Sequence, residues 1–389
     1  MASGISIEQI LEAATLDGAP QIPLTFITFK TMTKIGINVS VTVPGWNNGQ
    51  PVSAVYEFDT GGKGFWLNSV GVDMTNVKSL GAVETLYTSG YFYSGVAATA
   101  TITFPNVTLP SGTPSPSIHA NVGLVTEFLK YPQGSMFNPK DPQQVISRMT
   151  GKPVKSKPDS FPIFGQCFGD FGASLCPTTV SGGNTVVMLG ALSQYLPPVP
   201  GLDTGFVVSV PQSEGDAGWL ILGIGNHLRT LFGSANTLPM NPASPGSFPA
   251  WNTAPFGTPT MVNTFSEQAI NATVAVTQPT CNDAPAQTVT HTLQNVGMCL
   301  DTGCPHVVMH GGTVLTVGNN QPINYGTGTL NIMTTTGDGI VTGSKDYSAM
   351  PTSDVGPAIP GYVNTGVQNF INFHVMYDIT QSNLYLAHR

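Results

Sequence analysis

Apolar residues recur at every second position over long parts of the chain. Leu24 and Phe26, then Ile37, Val39, Val41 and Val43, follow this period. Side chains of a strand point alternately to its two faces, so a period of two built on β-branched residues predicts strands with one buried face. A turn at Gly45-Trp-Asn-Asn-Gly49 leads into a further run, Val52–Phe58, so residues 24–58 read as a β-meander. The N-terminal segment differs. Ile7, Ile10, Leu11 and Ala14 share one face at helical spacing, which predicts a short amphipathic helix over residues 6–14. Residues 86–104 predict two strands joined by a glycine-bearing tip between Tyr87 and Gly95. Exposed aromatic residues on such a tip call for a partner or a ligand. Strands are predicted again at 186–190, 206–210, 219–224, 272–277, 289–300, 313–317, 329–333 and within 362–387. Residues 235–263, rich in Pro, Asn and Gly, read as the link between two halves or the start of the second.

Residues 110–180 break the rhythm. Lys130, Lys140, Arg148, Lys152, Lys155 and Lys157 cluster there with prolines between them. Asp141-Pro142 followed by a run ending at Gly151 predicts one capped helix. The remainder reads as a surface insertion whose charges are solvated.

Composition narrows the class. Of the 389 residues, 9% are charged and 41% hydrophobic, with 44 Gly and 32 Pro. That balance favours an all-β protein rich in loops and excludes a disordered chain. The length allows two or more domains. A net charge of −8 excludes a broad nucleic-acid surface. No stretch reaches transmembrane length. The first residues lack the pattern of a signal peptide, for which an expression start at Met1-Ala2-Ser3 is one explanation. The five cysteines, Cys167, Cys176, Cys281, Cys299 and Cys304, show no metal-type pairing, so neither a metal nor another cofactor is expected. His306 and His310 are four apart but lack a third ligand. Cys167 with Cys176, and Cys281 with Cys299 or Cys304, could form disulfides; buried free thiols are the alternative.

Asp-Thr-Gly occurs three times, at 59–61, 203–205 and 301–303. An apolar extended run leads into the first and third copies. A carboxylate at the end of a strand, followed by a hydroxyl residue and Gly, sits at the mouth of a tight loop. The second copy follows a proline-rich segment and reads as a turn that opens a strand.

With these motifs the chain resembles the pepsin-like aspartic peptidases over most of its length. Asp59-Thr60-Gly61 is followed by Trp66, and Tyr87-Thr-Ser-Gly90-Tyr-Phe-Tyr-Ser-Gly95 resembles the plant-type form of the family's flap. Met188-Leu189-Gly190 resembles its hydrophobic-hydrophobic-Gly element in the first half. The register points to Asn364-Thr365-Gly366 in the second, without the apolar pair. Asn369–Asp378 and Asn383–Ala387 resemble its closing strands.

The resemblance implies an all-β, bilobal double-barrel fold with a deep cleft. A first lobe would span residues 1–230, including the 110–180 insertion, and a second 231–389. It implies an aspartic endopeptidase acting in acid, with Asp59 and Asp301 catalytic. Thr60, Gly61, Thr302 and Gly303 would support the loops, while Tyr87, Trp66 and Gly90 would bind substrate under the flap, the Tyr87 hydroxyl near the Trp66 indole. The implied partners are an extended polypeptide substrate and a pepstatin-like inhibitor, with no nucleic acid or membrane. A monomer that is secreted, periplasmic or vacuolar is implied. Two departures stand out. The family's Ser and Thr after the two motifs are replaced by Gly62 and Cys304. The loss of their hydroxyls would raise the pair's pKa values. Lys63, if it pointed inward, would lower them, but a solvated side chain is expected. The competing readings are a pepsin-like binding or inhibitor-type protein with impaired catalysis, and a structural β protein whose motifs are accidental.

Overall fold

The alternating runs fold as strands, and their apolar positions face inward. Ile35, Ile37, Val39 and Val41 are buried along the strand Met32–Thr42, and Tyr56 and Phe58 along Val52–Asp59. The computed structural model describes residues 4–148, 150–179, 187–233, 235–250, 260–279, 288–310, 316–317, 321–322, 329–333, 339–344, 347–350 and 362–389. The expected all-β class holds: strands dominate, with few and short helices among the described residues. The N-terminal helix spans Ile7–Asp17. Ser6 caps it through a reciprocal capping box with Gln9, and Gly18, at φ 75°, ends it.

Two large sheets carry the fold, one of fourteen strands and one of seven. The larger begins with the meander Gln21–Phe29, Met32–Thr42 and Val52–Asp59, and continues through Phe65–Asn68 to the hairpin Gly81–Leu86 and Tyr91–Thr103. At its other end Phe373–Asp378 lies between Asp203–Ser209 and Asn383–His388. Residues after 230 therefore contribute to both sheets.

Each sheet contains the same figure. The strand Val52–Asp59 enters a loop and the chain returns as Phe65–Asn68. Gly169–Gly172 then inserts between them, parallel to the first and antiparallel to the second. Its register sets Asp170 opposite Glu57, Phe171 opposite Phe58 and Gly172 opposite Asp59. In the other sheet Thr288–Cys299 and Val307–His310 flank the inserted Tyr362–Asn364, which sets Asn364 opposite Cys299. Since Glu57 and Cys299 each precede their aspartate by two residues, Asp170 and Asn364 occupy corresponding places.

Beneath the first loop, Tyr56, Phe58, Phe65 and Phe171 are all buried. The Phe65 ring stands 5.0 Å from Phe171 and 4.9 Å from Tyr56. Burying each such side chain stabilises the fold by about 1.5–3 kcal/mol, so the loop rests on a firm floor.

Several expectations are corrected. The helix over 141–151 is instead a strand, Asp141–Ser147, in a hairpin with Ser135–Asn138. The β-branched Val145 and Ile146 are buried there, and cross-strand pairing outweighs the Pro-led cap. Residues 110–180 are not a surface insertion throughout. Ser117–Lys130 pairs with Tyr91–Thr103 along its length and buries Ile118, Ala120, Val122 and Leu124 on one face. The element inserted in the first figure is Gly169–Gly172, not Met188-Leu189-Gly190. Among the described residues Val187–Met188 pairs with Thr178–Thr179, in a separate two-stranded sheet. Cys167, Cys176, Cys299 and Cys304 are free thiols. Cys167 packs in an apolar cluster with Trp66 and Tyr93, while Cys176 donates to the Pro177 carbonyl, so the local bridge does not form. Cys281 lies outside the described residues.

Candidate functional site: a pair of interlocked aspartate loops

The two strand ends bring Asp59 and Asp301 together. The loops after them interlock through their threonines. Thr60 N–H donates to Thr302 Oγ1 and Thr302 N–H to Thr60 Oγ1, each at 3.0 Å. The Thr60 hydroxyl then donates to the Leu300 carbonyl at 2.8 Å, and the Thr302 hydroxyl to Phe58 at 2.6 Å. Both threonines are buried. Each hydroxyl accepts one bond and donates another, so four polar groups are satisfied across the contact.

The glycines make room for the approach. A Cβ on Gly61 would lie 2.4 Å from the Asp301 carboxyl carbon, and one on Gly303 only 2.3 Å from that of Asp59. No side chain fits either place. Each loop also turns its amides onto its own carboxylate. Asp59 Oδ1 accepts from Gly61 at 2.8 Å and Gly62 at 2.7 Å, and Asp301 Oδ1 from Gly303 at 2.8 Å and Cys304 at 3.1 Å. Burial raises the Asp59 pKa, and the charges of Asp301, Asp170 and Glu57 raise it further. The neighbouring Asp301 carboxylate makes a second negative charge, on Asp59, costly.

Lys34 and Glu57 form a buried ion pair at 2.6 Å under the loops. The Lys34 ammonium also donates to the Gly303 carbonyl, which ties the first sheet to the second loop. Burial alone would lower its pKa, but Glu57, Asp59 and Asp301 outweigh that and raise it. This pair escaped the sequence reading. Its signal is two charged residues on strands that are otherwise largely apolar.

The hairpin tip lies at residues 87–90, between Gly81–Leu86 and Tyr91–Thr103. Gly90, at φ 93°, closes the turn to Tyr87 at 2.7 Å, and its carbonyl accepts from Tyr131. The Tyr87 hydroxyl does not hydrogen-bond the Trp66 indole. Its hydroxyl donates to Asp170 Oδ2, whereas Trp66 Nε1–H donates to the Lys63 carbonyl at 2.8 Å. The inserted strand has brought in a carboxylate that competes for the tyrosine. Lys63 itself pairs with Glu267 at 2.7 Å, half-buried rather than solvated.

Asp170 is the residue that sequence reasoning missed. It is buried, and burial with the Glu57 charge raises its pKa against the Tyr87 hydrogen bond. Asn364, noted in the sequence as a departure from an apolar pattern, donates its amide to Asp301 Oδ2. Among the described residues no group of three or more His, Cys, Asp or Glu side chains is arranged to hold a metal ion.

No family model matches the chain, and no curated protein matches it. Among solved structures it is similar to the aspartic proteinase from Irpex lacteus, at 14% identity and a TM-score of 0.48, over 95% of this chain and 97% of that one.

Proposed function

We propose that the chain is a pepsin-like aspartic endopeptidase, in which Asp59 and Asp301 activate a water molecule against a peptide bond. One observation carries this reading: two Asp-Thr-Gly loops interlock through Thr60 and Thr302, with each carboxylate against the glycine of the other loop. In the mechanism, the ionised carboxylate takes a proton from the water as its oxygen attacks the scissile carbonyl carbon. The protonated carboxyl donates its proton to the carbonyl oxygen, giving a tetrahedral diol. Collapse breaks the C–N bond as a proton passes to the amine. Thr60, Gly61, Thr302 and Gly303 hold the carboxylates, so little reorganisation accompanies the reaction. The hairpin carrying Tyr87 and Gly90 would cover an extended polypeptide, with Trp66 supporting it from below, and would exclude water. A pepstatin-like inhibitor is the expected ligand, and a secreted, periplasmic or vacuolar acidic compartment the expected setting. No described helix is long and apolar enough to cross a membrane.

The experiment is peptide cleavage as a function of pH for the wild type, Asp59→Asn and Asp301→Asn, with pepstatin as control. The wild type should cleave in acid, and each variant should lose about 10³-fold or more in kcat/KM, in keeping with removal of a central acid or base. A wild type inert from strongly acidic to neutral pH would overturn the reading. It would favour the second one, a binding or inhibitor-type protein, to which the extra carboxylate of Asp170 beside the pair lends support.

A further inference from the structure

Asp170 and Asn364 occupy corresponding places on the two inserted strands, yet one is a carboxyl and the other an amide. Asn364 Oδ1 accepts from the Gly366 N–H at 2.9 Å, which fixes the amide so that its Nδ2–H faces Asp301 Oδ2. With Gly303 and Cys304 donating to Oδ1, both oxygens of Asp301 face donors. Donors favour the ionised form. Asp59 Oδ1 likewise accepts from Gly61 and Gly62, so the two sides differ at Oδ2. A Cβ on Gly62 would lie 2.8 Å from Asp59 Oδ2 and 3.0 Å from Asp170 Oδ2, so the two carboxyl oxygens flank one small space. A serine there would force one of the two carboxyls to shift. The Tyr87 hydroxyl donates a hydrogen bond to Asp170 Oδ2, and Asp170 Oδ1 has no hydrogen-bond partner among the described residues. A carboxyl facing a carboxyl favours the protonated form of one of them.

We propose that Asp170 and Asn364 are positioning residues that make the two aspartates unequal: Asn364 holds Asp301 Oδ2 as a hydrogen-bond acceptor, and the Asp170 carboxyl beside Asp59 keeps Asp59 protonated. With the peptidase reading, on which their catalytic meaning rests, Asp301 is the general base and Asp59 the general acid. The other groups facing the pair do not reverse this asymmetry. Glu57 is paired with Lys34, whose ammonium reaches the Gly303 carbonyl on the Asp301 side. Tyr87, Tyr362, Tyr377, Cys299 and Cys304 stay neutral in acid, because burial raises their pKa values.

The test titrates the carboxyl carbons of protein carrying ¹³C at Asp Cγ, followed by NMR, beside the pH profile of cleavage. The resonances are assigned by their loss in Asp59→Asn and Asp301→Asn. Wild-type Asp59 should titrate above the ordinary carboxylate range. The near-isosteric Asp170→Asn should move the Asp59 titration down by about one pH unit or more, as expected when a facing carboxylate becomes a donor, and the alkaline limb of cleavage should move with it. An Asp59 titration in folded Asp170→Asn that superimposes on the wild type would overturn the proposal. Shifts as expected in a protein that cleaves nothing would uphold the proton placement and overturn the peptidase reading alone.

Discussion

At the scale of residues, the site depends on two small hydroxyls. Thr302 accepts from the Thr60 amide and donates to the Phe58 carbonyl, all within buried surroundings. Valine keeps the shape and removes both bonds, leaving a buried donor and a buried acceptor unpaired. Thr302→Val should therefore destabilise the fold by about 2–4 kcal/mol, taking each orphaned group at its usual cost. The measurement is the urea midpoint at constant slope. Thr302→Ser keeps the hydroxyl and should recover most of the loss. The motifs Asp59-Thr60-Gly61 and Asp301-Thr302-Gly303 were legible in the sequence because all their requirements are local: a strand, a carboxylate, a hydroxyl and a residue without a side chain. The partner of Tyr87 was not legible. It depends on which distant segment inserts beside Val52–Asp59, and that segment brought Asp170.

At the scale of elements, the closing strand Phe373–Asp378 buries His374, whose Nδ1 lies 2.9 Å from Ser209 Oγ on the neighbouring strand. Burial and then the Arg389 charge push its pKa down to about 4 from an ordinary 6.5. The folded pKa is thus below the unfolded one. The contribution of His374 to stability is fully present above about pH 6.5 and is lost as pH falls toward 4. At about 1.4 kcal/mol per pH unit of displacement the loss is on the order of 3 kcal/mol. His374→Gln should flatten the fall in stability over that window, as read from denaturant midpoints at a series of pH values. Asp59 and Asp170 act in the opposite direction. Their folded pKa values are raised, so their contribution is present in acid and is lost as pH rises through them. Asp170→Asn should remove its share of that decline toward neutral pH. Strand existence followed from the period-two pattern, but the segment 141–147 shows its limit. A proline-led cap and a final glycine are local signals, and pairing with Ser135–Asn138 overrode them.

At the scale of the whole molecule, Arg229 joins three separate parts of the chain. It lies on the helix Asn226–Phe232 and grips Asp378 through Nε at 2.7 Å and Nη2 at 3.1 Å. Its Nη1 meets Asp203 at 2.7 Å. Asp203, in the second Asp-Thr-Gly, thus opens a strand and serves a structural ion pair away from the central loops. Asp378 is fully buried. Arg229→Met would leave that charge without its partner, a change that costs about 3–5 kcal/mol. A lowered Tm is expected, with the Asp59 titration unchanged in the folded protein.

The sequence by itself determined the all-β class, the strand-ending aspartates and the hairpin near Tyr87. Alternation, turn residues and short motifs act between neighbours in the chain, so they are visible without a structure. The tertiary structure decided the rest: the insertion of Gly169–Gly172 rather than the segment at Met188, the free state of Cys167 and Cys176, the buried Lys34–Glu57 pair, and the opposite partners given to Asp59 and Asp301. These depend on pairings between distant segments, where several candidates satisfy the same local pattern and packing selects one. The glycine at 62 reads in the sequence as a lost hydroxyl. In the fold it is the space that brings Asp170 beside Asp59.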